Sequence, residues 1–138
     1  MPRVNQAIQW NGLPALSLGP GAVAVSDDIL IADTAFDAGI TVRAAHSGTP
    51  AAGDVVDIYL ALSADGAGFD SDQEMNLIFL GALDLAADRL DGSSPGAGWQ
   101  AQSSFPSVPV VFGKARLVTR NRGALSVNVS AGIVTLGS

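Results

Sequence analysis

The chain has 138 residues, no cysteine, 14% charged against 48% hydrophobic residues, and 13 acids against seven bases for a net charge of −6. That length fits one domain, residues 1–138, able to bury roughly two-thirds of its unfolded surface unaided, and the missing cysteines exclude disulfide frameworks, thiolate zinc sites and cysteine nucleophiles. The acidic balance argues against direct nucleic-acid binding, which needs a basic footprint, and no apolar run approaches the ~18 residues of a membrane helix.

The signals along the chain are of period two. Val4, Gln6, Ile8 and Trp10 alternate with Asn5, Ala7 and Gln9, a first strand or arm over residues 1–12, and Asn11-Gly12 reads as a turn. The start, Met1 to Gln6, lacks the apolar stretch of a secretory signal. Short apolar pieces follow at Leu13–Leu18, Ala22–Val25, Ile29–Ile31 and Ile40–Ala45. The clearest strand is Val55–Ser63, with Val56, Ile58, Leu60 and Leu62 on one side and Asp57, Tyr59 and Ala61 on the other. Leu77–Leu85 is its antiparallel neighbour; alternation puts Leu77, Phe79, Gly81, Leu83 and Leu85 on one face, with Gly81 marking a bulge or bend. Ala86–Leu90 fits one helical turn, and Gly92–Gln102, carrying Trp99, reads as a long loop. Val108–Phe112 is a short strand that Pro106 and Pro109 place at an edge or a bend. Ala115–Arg120 and Ala124–Val129 make the best hairpin, with Asn121-Arg122-Gly123 as its turn and Gly123 free to take a positive φ. Val129–Leu136 completes the last strand. Roughly eight to ten strands at this spacing predict an all-β, single-domain antiparallel β-sandwich, jelly-roll-like.

Charge is sorted by sign. Every acid lies between Asp27 and Asp91, and Lys114, Arg116, Arg120 and Arg122 fall within nine positions. In a strand, Lys114, Arg116, Val118 and Arg120 face one side, a basic stripe that either docks on an acidic partner surface or faces water. The loop from Asp65 to Glu74 is the one concentration of hard-cation ligands. Asp65, Asp70, Asp72 and Glu74 are its candidate ligands; the last three are spaced as at the start of a calcium loop, but Met75 and Gly81 stand where such a loop needs Gly and Glu. The alternative is a solvated hairpin tip whose acids discourage edge pairing. His46 is the one histidine, without a nucleophile elbow or a second metal ligand. No residue set meets the requirements of a catalytic centre, so neither an enzyme nor a cofactor is expected. The nearly uncharged ends, Met1–Gln9 and Gly132–Ser138, are candidates for arms that pair with a neighbouring sheet or for ordinary strands. Low charge with much apolar surface favours a subunit of an assembly. A carbohydrate-binding sandwich, stacking sugars on Trp10, Tyr59 or Trp99, is a reading of another class.

The passages Val55-Val-Asp-Ile-Tyr-Leu-Ala-Leu-Ser-Ala-Asp-Gly-Ala-Gly-Phe-Asp70 and Lys114-Ala-Arg-Leu-Val-Thr-Arg-Asn-Arg-Gly123, followed by Leu125, Val127 and Val129, carry a resemblance. Over residues 28–135 the chain resembles small virion accessory proteins of tailed bacteriophages. The resemblance implies a jelly-roll-like sandwich that forms homotrimers and decorates or cements the outer capsid surface, with the major capsid protein as partner and assembly in the host cytoplasm. A tail, collar or fibre-attachment component is the alternative in the same setting.

Overall fold

Period-two alternation becomes a two-layer architecture. The computed structural model describes residues 3–32, 34–62, 77–90, 99–108 and 113–137. The first sheet has the strand order β1 (Arg3–Ile8), β10 (Val127–Gly137), β5 (Ala35–His46) and β8 (Trp99–Phe105), and β2 (Leu16–Leu18) pairs with the start of β10. The second has the order β3 (Val23–Val25), β9 (Gly113–Asn121), β6 (Val55–Leu62) and β7 (Leu77–Asp84), with β4 (Ile29–Ile31) also on β9. Every pairing is antiparallel. The pairing is nested: β1 with β10, β3 with β9, β5 with β8, β6 with β7. This is the jelly-roll connectivity, an all-β sandwich as the alternation predicts.

The core lies between the layers. Ile8, Leu18, Ile40, Val42, Val129 and Ile133 enter from the first sheet, and Val56, Ile58, Leu60, Leu83 and Leu117 from the second, all buried. Burying each such side chain is worth about 1.5–3 kcal/mol, so this shared interior is the main stabilising term. The faces assigned to Val55–Ser63 from alternation hold along the described strand: Val56, Ile58 and Leu60 are at most 1% exposed. The Asn11-Gly12 turn also holds. Both residues have positive φ (50° and 76°), and Trp10 and Leu13 exchange backbone hydrogen bonds across them. The Asp27 carboxylate accepts the N–H groups of both turn residues, tying this loop to the edge of the second sheet.

Three expectations are corrected. Ala115–Arg120 and Ala124–Val129 do not form a hairpin, because β9 lies in the second sheet and β10 in the first. The chain crosses between layers at residues 122–126. Asn121 is fully buried as the last residue of β9. Its Nδ2 donates to the carbonyls of Leu18 and Leu125, and its Oδ1 accepts from Gly123 N. Gly123 does not have a positive φ. A Cβ there would stand 2.9 Å from Asp54 Cα, so close approach, not dihedral freedom, calls for glycine.

The second correction concerns β7. Ile58 opposes Gly81 but Tyr59 opposes Phe79, so Leu80 is an extra residue and the strand changes phase there. Leu83 and Leu85 are buried while Phe79 is 56% exposed on the opposite face. Gly81 does sit at a bulge. Third, Trp99–Gln102 is not loop but the start of β8, with Trp99 opposite His46. Ala86–Leu90 opens with the expected turn: Asp88 N donates to Asp84 O, and the Asp84 carboxylate accepts Ala86 and Ala87 N–H. Val108 is buried and donates its N–H to Ala38 O; the remainder of Val108–Phe112, and the acidic loop Asp65, Asp70, Asp72 and Glu74, lie outside the described residues or their described side chains.

Candidate docking surface on the second sheet

The basic stripe lands on the outer face of the second sheet, and the register shows what surrounds it. Val25 opposes Val118, Val118 opposes Tyr59, and Tyr59 opposes Phe79, so four strands contribute one apolar row. Directly opposed residues of antiparallel strands share a face, and Tyr59 lies between the core residues Ile58 and Leu60, so this face points away from the interior. Val118 is buried, Tyr59 is partly covered, and the ends of the row are open, Val25 at 38% and Phe79 at 56% exposure. The Tyr59 and Phe79 rings meet at 5.3 Å and 57°, the tilted geometry aromatic pairs prefer.

Charges form the rim. On one side Arg120 stands in register with Val23 and Asp57, and Arg122 Nε contacts Asp57 Oδ2 at 2.6 Å. On the other side Arg116 Nε donates to Asp28 Oδ1 at 2.7 Å, and Lys114 Nζ lies 3.6 Å from Asp28 Oδ2. The path of the chain along β9 explains how Asp28 arrives there. The edge of β9 is covered by two short strands, β3 and β4, interrupted between them. In the gap Ser26 exchanges bonds with Leu117, its N–H donating to Leu117 O and its Oγ accepting Leu117 N. That bend turns Asp28 outward onto the basic side chains. The hydrogen bond and charge of Arg116, with Lys114 behind it, hold the Asp28 carboxyl below its ordinary pKa. Among the described residues these four cations share the face with the carboxylates of Asp28 and Asp57, with Asp84 at its far edge opposite Val55, and the apolar row runs between the two charged groups.

The structure brings Lys114, Arg116, Arg120 and Arg122 together on one face, but with Asp28 and Asp57 among them. Asp28, Asp57, Val25 and Phe79 are the participants the sequence reading missed. The phase of β7 hid Phe79; the leading signal for the bulge was Gly81. Elsewhere, Trp10 is 3% exposed and in the core. Trp99 has the Arg89 guanidinium 4.2 Å from its ring centroid and the His46 ring stacked at 6.2 Å. His46 closes β5, is buried, and its Nδ1 bonds to Gly48 O. Among the described residues no group of three or more His, Asp and Glu side chains is placed to hold a metal ion.

The chain matches no protein-family model and no curated protein. Its fold is similar to the C-terminal CBM6 module of a marine laminarinase, LamC, from Zobellia galactanivorans, at a TM-score of 0.53 and 13% identity over 98% of this chain and 100% of that one. It is also similar to a part of dimeric latent PorU from Porphyromonas gingivalis, at a TM-score of 0.51 and 11% identity, covering 96% of this chain but 12% of that one. These likenesses establish a β-sandwich.

Proposed function

We propose that this chain is a non-catalytic structural protein that docks through the outer face of its second sheet, as a decoration or cement subunit on a phage capsid. The observation that carries the reading is the row Val25, Val118, Tyr59 and Phe79, an apolar strip with a charged rim. Protein interfaces have this anatomy, with aromatic side chains enriched at the centre and polar groups at the edge. The excess of cations favours an acidic partner surface and sets register and partner choice more than affinity. A cement subunit seated where capsid subunits meet adds buried area across each junction, and repetition over the lattice multiplies modest contacts. The test is co-sedimentation with heads stripped of accessory proteins. Phe79→Ser and Arg120→Glu change exposed side chains, so both variants should stay folded and bind at least tenfold more weakly, about 1.4 kcal/mol. Binding unchanged in both sinks the docking face. Hundreds of copies per particle fit decoration; a few dozen fit the tail or collar alternative.

A carbohydrate-binding reading has two observations of its own: the likeness to a carbohydrate-binding module over that module's full length, and the Tyr59–Phe79 pair as an accessible aromatic surface. Burial of Trp10 and the Arg89 stack on Trp99 take away the other two platforms. Retention on immobilised glycans that is lost in Tyr59→Ala supports this reading; no retention on any glycan sets it aside.

A further inference from the structure

We infer that β1 is a pairing edge for a second copy of this chain, joining the first sheets of two molecules antiparallel about a two-fold axis at Asn5. Arg3 to Ala7 are exposed at every position, whichever face they point to. The strand therefore buries nearly nothing before Ile8 and is held by its ladder to β10. A strand paired on one side leaves alternate N–H and C=O groups along the other, a template for a further strand.

The other sheet edges among the described residues are blunted, and β1 is not. Beside β8, Leu90 N donates to Gln100 O and Gln102 N donates to Asp88 O, so the 88–90 segment covers that edge. β3 and β4 are three residues each, separated by the bend at Ser26. β7 carries the bulge at Leu80. These are the ordinary devices against edge pairing. Strand β1 is six residues long and contains no Pro, no Lys and no register shift against β10.

The occupant follows from the strand's own composition. Centred on Asn5, antiparallel self-pairing sets Arg3 against Ala7, Val4 against Gln6, and Asn5 against itself. Outward residues then oppose outward residues, so the two sheets continue as one surface. The two Arg3 side chains, the only charges on the strand, start about 13 Å apart, beyond the ~10 Å screening length at 0.1 M salt. Such an isologous contact closes at two copies, in place of the three-fold assembly that the phage resemblance implies. It is independent of the docking face on the other sheet.

Light scattering after size exclusion, across a concentration series, should approach twice the 13.9 kDa chain mass. The register is tested by cross-linking, which the absence of native cysteine makes specific. Opposed Cα atoms in an antiparallel pair are about 4.5–5.5 Å apart, within disulfide reach. Asn5→Cys should oxidise to a covalent dimer at least tenfold faster than Arg3→Cys, whose sulfurs are held apart. The double variant Val4→Lys/Gln6→Lys, which sets like charges face to face, should run as a folded monomer, and Val4→Lys/Gln6→Glu as a dimer. A wild-type monomer or trimer at all concentrations, equal cross-linking of the two cysteine variants, or equal masses for the two charge variants overturns the proposal.

Discussion

Asn121 shows how one side chain settles a path that local pattern reads wrongly. An Asn-Arg-Gly triplet after alternating apolar residues is a common hairpin signal. Here the amide is fully buried and bonds to Leu18 and Leu125 carbonyls and to Gly123 N, directing the chain out of one sheet and into the other. Asp54 supports the same corner, accepting N–H groups from Ala51 and Ala124. Those two bonds, Ala51 first, hold the Asp54 carboxyl below its ordinary pKa, as Arg116 does for Asp28. Because both folded values are depressed, the stabilisation is present above the ordinary value of 3.8 and is lost as pH falls through the folded values. The thermal midpoint should therefore drop on acidification below about pH 4, and Asp54→Ala should be less stable at neutral pH with a shallower acid decline. Parallel curves for variant and wild type would remove Asp54 from the account. Asp57 is 4% exposed, with Oδ2 on Arg122 and Oδ1 unpaired among the described residues. Arg122→Ala should cost about 1–3 kcal/mol in urea unfolding by leaving a buried acceptor unsatisfied. Adding Asp57→Ala should recover part of that loss; no recovery would show that Arg122 acts otherwise.

At the scale of elements, β6 and β7 make a useful contrast. In β6 the faces read from alternation survive folding: Val56, Ile58 and Leu60 lie in the core with Leu62 packed against it, while Asp57 and Ala61 are buried on the opposite face. Leu60→Asp should therefore abolish folding, since it places an unpaired charge in the core; a native-like circular dichroism spectrum from soluble variant would contradict the face assignment. In β7 the same rule fails past one residue, because the bulge at Leu80 moves Phe79 to the outer face. Apolar residues stand on both sides of that break, so hydrophobicity alone gave no phase mark. Gly81 faces the Phe105 ring, whose Cε1 would lie 2.6 Å from a Cβ added there. Gly81→Val should cost about 1–3 kcal/mol through overpacking, measurable as a lowered denaturation midpoint, and Phe105→Ala in the same background should relieve part of it.

For the whole molecule, both sheets contribute to one continuous core, and the nested pairing ties early strands to late ones. Neither layer buries its apolar face alone, so unfolding should be a single transition, with tryptophan fluorescence and far-ultraviolet dichroism coinciding. Separate midpoints would mean that the layers melt independently.

Spacing along the chain is enough for the β class, the sandwich architecture, the inner face of β6, the Asn11-Gly12 turn and the presence of a basic stripe. Each depends on spacing within one strand or turn, where side-chain direction follows from a two-residue period and local backbone preference. Tertiary structure alone decided that β9 and β10 belong to different layers, that Phe79 faces outward, and that Asp28 and Asp57 stand among the basic side chains. Those outcomes depend on contacts between residues far apart in the chain, Asn121 with Leu18 and Arg116 with Asp28 among them. A local pattern contains neither the partner strand nor the register that brings such residues together.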